Sequence, residues 1–394
     1  MVTKQLLGKQ KSFMLQTSCF ILGFGKASSG RLHPSKWWLT FLLWLMLVAP
    51  TKAMELRVAI QEGVSKITVG SSTKAVIRDS AGRVVGQMAA MDGMEARPTG
   101  GGVALGGEQS TQLIVEPTAG GYVWIGDRWY RGRTRLVRTG KGLTAVNQVD
   151  LEQYLYSVLG SEMSANWPLE ALKAQAVAAR SYALYKRQTA GNSVFDVGDT
   201  QTWQVYKGLE TEAESTQMAV NATAGQVLTY NGQIILAVFH SASGGHTENV
   251  ENVWSEPLAY LRGVPDYDQG TPGYQWQKSF SRNELSRLLG VSNVKSLIPE
   301  RTTPSGRIMT MKVVGSGSTR RMTGSQLRQA LKLRSTLFTV SSTGTGFQLN
   351  GRGFGHGLGL SQWGAYNLAQ QGTNYQQILG HYYQRTAIAS MKVQ

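Results

Sequence analysis

The stretch LYSVLGSEMSANWPLEALKAQAVAARSYAL, from Leu155 to Leu184, places one carboxylate, Glu162, six residues before Pro168 and a helix signal. A single carboxyl group can serve as a general acid if its pKa is raised toward the working pH. A nearby helix N-terminus would lower that pKa. Burial against Leu159, Met163 and Trp167 would raise it. The plain alternative is a surface or capping carboxylate. Arg180 lies in the same stretch. At about 100° per residue it falls inside the arc of Leu172, Ala176, Ala179 and Ala183, with Lys173 and Arg187 on the same stripe. A cation on a small-residue face needs a partner. Arg180 is either half of a structural ion pair or a group facing the Glu162 cleft, where it contacts substrate or tunes the acid.

A second constellation lies near the C-terminus. Gly351, Gly353, Gly355, Gly357 and Gly359 recur at period two. In an extended chain they would leave one face bare, open to another chain or a sugar ring. Arg352, Phe354, His356, Leu358 and Leu360 would line the other face. The spacing is not that of a dinucleotide fingerprint. The five histidines are His33, His240, His246, His356 and His381. His240 and His246 flank SASGG, with Glu248 beyond, which makes either a metal site or a pair of hydrogen-bonding loop histidines. Ser241 and Ser243 lack the G-x-S-x-G context of a nucleophile. The lone cysteine, Cys19, precedes an apolar run, so a chain cleaved after that run has no disulfide, thiol nucleophile or cysteine metal site.

The elements that must position these groups are readable. Gly is abundant, at 46 residues, and charged residues make up only 16%, which favours a compact chain rich in strands and turns. From Glu55 to about Val146, alternating segments such as ELRVAIQEG, KITVGSS and KAVIRDSAGRVVG predict strands, with DSAGRVV as a hairpin turn. MDGMEARPTGGGVALGGEQS reads as a Gly-rich loop. DLEQYLYSVL predicts a short helix from Asp150. A longer helix, capped by Asn166 with Trp167 and Pro168 in its first turn, should run to about Arg187. ETEAESTQMAVNAT predicts a helix, and GQVLTY and QIILAVFHS predict strands. GRIMTMKVVGSGSTRRMTG predicts a hairpin, TGSQLRQALKL a helix capped by Thr323, and SQWGAYNLAQQG a helix from Ser361 to Gly372. The fold class is α+β: a β-rich N-terminal domain over residues 54–146, then a mixed α/β catalytic domain over 147–390 that forms a substrate groove.

Ahead of these, Lys36 precedes an apolar run from Trp37 to Ala49. Thirteen residues suit a signal-peptide core better than a membrane span, which needs about 20. Residues 1–53 are therefore expected to be a signal peptide cleaved after Ala53 or a retained anchor. The protein is expected in the periplasm or cell wall, tied to the inner membrane only if the segment stays. The net charge is +16; seven of those charges fall in residues 1–53, which hold no acid, leaving +9. A basic exported chain suits an anionic polymer such as a cell wall rather than nucleic acid.

Four separated blocks then resemble one family in order. VNQVDLEQYLYSVLGSEMSANWPLEALKAQAVAARSYAL, FHSASGGHTENVENVW, AYLRGVPDYD and GRGFGHGLGLSQWGAYNLAQQG are similar to the SpoIID/LytB family, the group of sporulation stage II protein D and amidase enhancer. The likeness runs from about Met54 onward and is looser in the N-terminal β region. It implies a peptidoglycan lytic transglycosylase, without cofactor, that cleaves between N-acetylmuramic acid and N-acetylglucosamine and leaves 1,6-anhydro ends. By that matching Glu162 is the sole acid/base and Arg180 supports the site. His240, Ser241, Ser243, His356, Ser361 and Gln362 line the groove, and Lys278 matches a basic groove position. Relatives that bind a metal do so with Cys and His near SGG; this chain has Ser243 there, so no metal is expected. Trp203, Trp276 and Trp363 are candidates for stacking on sugars or for core roles. Two readings compete with the transglycosylase: a non-enzymatic wall-binding enhancer of an N-acetylmuramoyl-L-alanine amidase, and a metal-dependent wall hydrolase. The implied partners are glycan strands, with or without stem peptides, and a wall amidase.

Overall fold

The computed structural model describes residues 54–254 and 256–391. The expected signal peptide or anchor, with Cys19 and His33, lies outside the described residues. Among the described residues no helix is long and apolar enough to cross a membrane.

Two sheets, antiparallel except where Val197–Gly198 pairs parallel with Glu55–Val64, are built mainly from the N-terminal third. One has seven strands, its centre built from Glu55–Val64, Gly142–Asp150, Arg133–Thr139 and Gln112–Pro117. The other has six, with Ile67–Ser71 and Asp92–Thr99 in the middle. Alternation along the strands buries Leu56, Val58, Val69, Leu113, Val115 and Leu136 in one core. The segment expected to be a Gly-rich loop is instead a meander of Asp92–Thr99, Gly102–Leu105 and Glu108–Ser110. Gly106 and Gly107 occupy a turn at φ +59° and +93°, while Ala96, Val103 and Leu105 point inward. Counting turn residues hid short strands whose inward face was apolar. The expected domain boundary at 146/147 lies inside the strand Gly142–Asp150, and the core crosses it.

That strand feeds directly into helix α1 (Leu151–Glu162), which Asp150 caps by accepting the N–H groups of Glu152 and Gln153 at 3.0 and 3.1 Å. Helix α2 (Leu169–Thr189) follows and is buried along most of its length. Its start differs from expectation: Pro168 is the N-cap, at ψ 137°, and Asn166 instead donates its N–H to Ser164 Oγ at 3.3 Å. The Trp167 ring packs on Trp363 and Tyr366 at 4.5 and 5.0 Å, drawing the preceding turn away from helical geometry. Helix α3 (Glu214–Ala222) and the strand Gln226–Tyr230 complete the packing around α2. QIILAVFHS is regular only at Gln233–Ile234 and Phe239–His240. Between them, short turns donate Ala237 N–H to the Ile235 oxygen and Val238 N–H to the Leu236 oxygen.

After the short helix α4 (Val250–Val253) the chain leaves the first core at Val264 and returns to it at Leu358. Between these points an inserted lobe builds its own core. Two three-stranded sheets (Gln275–Ser281, Gly346–Arg352 and Phe338–Ser342; Ser296–Thr302, Ile308–Val314 and Thr319–Thr323) pack with α5 (Arg282–Leu289) and α6 (Gly324–Ala330) around Leu285, Met311, Val313 and Leu349. The predicted hairpin and the Thr323 cap are both present; Thr323 forms a reciprocal box with Gln326. Helices α7 (Gln362–Gln370), capped by Ser361, and α8 (Tyr375–Tyr382) follow, and the strand Ala387–Ser390 then pairs antiparallel with Gln226–Tyr230.

Candidate functional site

Glu162 is the last residue of α1, so it stands at a helix C-terminus and not before an N-terminus as the sequence suggested. The helix simply runs further than its apolar pattern shows. The C-terminal dipole disfavours negative charge there. The side chain is half-buried and receives the Val205 N–H on Oε1 at 2.9 Å. Burial pushes its pKa above the ordinary carboxyl value; the Val205 N–H and the Gln362 amide pull the other way without cancelling it. Among the described residues no cation pairs with it. The buried Gln362 Nε2 beside it has no hydrogen-bond partner.

Glu162 opens onto a cleft of about 710 Å³. Three layers of the fold meet there. Ser161 and Glu162 come from α1, and Tyr182 and Lys186 from α2. Trp203 and Val205 lie on the loop that follows. Phe239, His240 and Ser241 come from the parallel pairing of Phe239–His240 with Leu360–Ser361. Phe354, Gly355, His356 and Gln362 also line the cleft, with Trp254 and Arg328. Of the residues expected at the site, the cleft gathers Glu162, His240, Ser241, His356 and Gln362.

The other four lie elsewhere. Arg180 is fully buried and pairs with Glu152, donating Nε to Oε1 at 2.9 Å and Nη2 to Oε2 at 2.5 Å. It also donates to the carbonyls of Gln226 and Val220. Glu152 and Glu162 are ten residues apart on α1, about 15 Å along its axis, so Arg180 is a structural cation and does not line the cleft. Lys278 belongs to the inserted lobe, where Nζ donates to the Leu331 oxygen at 2.8 Å, closing the end of α6 rather than meeting a ligand. Ser361 is buried and caps α7 by accepting the Gly364 N–H. Ser243 is buried behind the cleft and donates to Asp266 Oδ2 at 2.6 Å.

Ser243 begins the SGG turn, and two aspartates shape that turn. Asp268 accepts the N–H groups of Gly244 and Gly245 at 2.7 and 2.9 Å. From the other side the buried Arg307 donates Nη2 to the Ser243 carbonyl at 2.6 Å. His240 is buried, with Nδ1 3.0 Å from the Leu358 oxygen, and desolvation drives its pKa down to about 3. The His356 ring lies 5.3 Å from it, also pushed well down by burial, with Nδ1 accepting the Leu358 N–H. Both histidines are therefore neutral near pH 7. His246 faces a separate groove, and the described residues contain no cluster of metal-ligating side chains.

The alternating glycines are not an extended bare face. From Gly353 to Gly359 each has φ between +64° and +120°, and no intervening residue does. The space a Cβ would fill is already occupied by the protein: His240 Cβ at 2.6 Å from that of Gly355, and the Arg307 guanidinium at 2.3 Å from that of Gly357. The pattern lets this segment coil tightly over the histidine and arginine. Trp203 lines the cleft, whereas Trp363 packs on Trp167 and Trp276 packs beside Phe338 in the inserted lobe. Sequence reasoning missed Tyr182, Lys186, Trp254, Arg328 and the Val205 N–H. None carries a spacing signal, because each reaches the cleft through tertiary packing.

A family model described as Stage II sporulation protein matches residues 139–230, which hold α1, α2 and Glu162. A second, described as Domain of unknown function (DUF8618), matches residues 248–359, which hold the inserted lobe. Stage II sporulation protein D of Bacillus subtilis is 36% identical over 268 residues, 62% of this chain and 76% of that protein. An uncharacterized protein of Brachyspira hyodysenteriae is 37% identical over 276 residues, 68% of this chain and 74% of its own length. The amidase enhancer of Bacillus subtilis is 33% identical over 290 residues, covering 60% of this chain and 40% of that protein. With the family model and the relatives in agreement over these lengths, the chain belongs to the SpoIID/LytB family.

Proposed function

We propose that this is an exported cell-wall protein that cuts peptidoglycan glycan strands as a lytic transglycosylase, with Glu162 as its one acid/base. The observation that carries the reading is that Glu162 is the only acid among the described residues lining the cleft, and burial raises its pKa. A conventional glycosidase places two carboxylates across the bond. One is enough when the substrate supplies the nucleophiles. Protonated Glu162 donates to the glycosidic oxygen as the bond to the muramic acid C1 breaks. The N-acetyl carbonyl oxygen closes on C1 and takes up the positive charge. Glu162, now ionised, removes the proton from the sugar's 6-hydroxyl as that oxygen attacks C1 and the acetamido group is released. The product is a 1,6-anhydro end, and Glu162 is protonated again. Intramolecular attack gains from proximity.

The neutral His240 and His356 leave the carboxyl without an adjacent cation that would lower its pKa. Trp203, half-buried on the cleft lining, offers a ring to a sugar. The test is mass spectrometry of peptide-free and peptide-bearing glycan strands after incubation with wild type and with Glu162→Gln. Anhydro-muramoyl products should appear with wild type alone. Their absence with wild type on both substrates sinks the reading.

A second reading rests on the relative named amidase enhancer. Here the chain binds the wall and stimulates a separate amidase without cutting glycan. In that case Glu162→Gln leaves both wall binding and stimulation intact.

A further inference from the structure

The cleft has a charge imbalance that the acid/base chemistry does not use. Arg328 lines it, half-buried, and makes no side-chain hydrogen bond or ion pair with any described residue. Its surroundings add no negative charge. The buried Arg307 is close enough for the two guanidiniums to repel, and the neighbouring His240 and His356 are neutral. Burial alone lowers its pKa, with no carboxylate near enough to offset it. A guanidinium stripped of part of its water and given no acceptor is costly unless a ligand supplies one. Lys186, the other cation of the cleft, differs: its Nζ sits 5.5 and 5.7 Å from the ring centroids of Tyr182 and Trp203.

Arg328 is also rigidly mounted. It follows the buried Leu327 on α6, whose start is fixed by the Thr323–Gln326 box and whose end is pinned by buried Leu331. The segment matched over residues 248–359 also contributes Trp254 and Phe354, 42% and 44% exposed, to the cleft lining. Large apolar rings held open beside an unpaired guanidinium suit a ligand with flat apolar sugar faces and one anionic group.

We propose that the segment matched only as a domain of unknown function is the substrate-reading wall of this cleft, with Arg328 binding a carboxylate carried by the glycan. This rests on the glycan reading above. The planar fork of arginine takes a carboxylate through two parallel bonds, which lysine cannot copy. Two carboxylates of the polymer fit that chemistry: the lactyl group of muramic acid and the acids of a stem peptide. The lactyl group is the one attached to the sugar ring itself.

The experiment measures binding, so it does not require turnover. Glu162→Gln protein is titrated calorimetrically with three muramic-acid tetrasaccharides: one with free lactyl carboxylates, one with those carboxylates converted to primary amides, and one bearing stem peptides. Adding Arg328→Gln should weaken binding of the free-carboxylate fragment about 10- to 100-fold and leave the amide fragment unchanged. Arg328→Lys should recover only part of the loss. Thermal unfolding of each variant separates a binding defect from a folding defect. Equal weakening for the acid and the amide, or no weakening, overturns the assignment. A loss confined to the peptide-bearing fragment overturns the lactyl group as its target. If none of the fragments binds, the inference fails as well. Failure of the catalytic reading looks different: the fragments bind with the Arg328 dependence intact, and wild type yields no anhydro product.

Discussion

The two ends of α1 carry the same functional group in opposite settings. At its first turn Glu152 holds the buried Arg180 in a two-pronged pair and also accepts the Gly225 N–H. At its last residue Glu162 meets one backbone N–H, one amide and an open cleft. The first carboxylate is fully committed to neighbours, so its charge is spent on holding α1, α2 and α3 together. The second is desolvated without a cation, the condition that makes a carboxyl a useful proton donor. Reactivity on this helix is therefore decided by what is withheld from a side chain, since both ends offer the same residue type.

That contrast breaks first if Glu162 can be replaced without loss. Glu162→Gln should cut turnover by about 10²–10⁴-fold, since one residue serves as acid and then base. Wild-type turnover should fall as pH rises through the elevated Glu162 pKa, because only the protonated form can donate; steady-state rates across pH read this directly. The other end answers in stability. Arg180→Ala should cost about 3–5 kcal/mol in urea unfolding by leaving Glu152 unpaired. Replacing both by apolar residues of similar volume should recover most of it. A normal unfolding midpoint combined with lost glycan affinity in Arg180→Ala would erase the distinction between the ends.

Acid sharpens it further. His240 has a folded pKa near 3. The unfolded chain takes up its proton near pH 6.5 and the folded chain does not. Stability is thus full above about pH 6.5 and falls as pH drops toward 3, at up to about 1.4 kcal/mol per unit. His240→Asn should flatten that slope in chemical denaturation at stepped pH. The smallest effect belongs to the cap: Asp150→Ala should cost about 1 kcal/mol, with turnover per folded molecule unchanged.

Much of this arrangement was legible in the residues. Alternation found the strands whose inner faces are apolar, and Thr323 marked the start of its helix as a cap. What local pattern could not convey was partnership. Arg180 was correctly seen to need a partner, yet the choice between Glu152 and the cleft depends on how α1 crosses α2. Lys278 and Ser243 look like groove groups until the Leu331 carbonyl and Asp266 are found beside them. The glycine alternation misled for a related reason. Period two is the signature of a strand, but from Gly353 to Gly359 a chain that visits positive φ at every other residue has the same period without being a strand. Arg328 gave no sign, because a lone arginine after a buried leucine is what a solvated helix face also looks like.

The parallel pairing of Phe239–His240 with Leu360–Ser361 has a bearing on time as well as space. It joins positions about 120 residues apart, with the inserted lobe between them, so closing it carries a large loop entropy. Until that lobe has condensed and the chain has returned, Glu162 stands on a formed helix with only half a cleft around it. The last wall to arrive brings His356, Gln362 and the lobe that holds Arg328. A chain that is unfinished, or clipped before Leu358, carries Glu162 without the residues that complete the cleft, so on the reading proposed above activity arrives only when folding is complete.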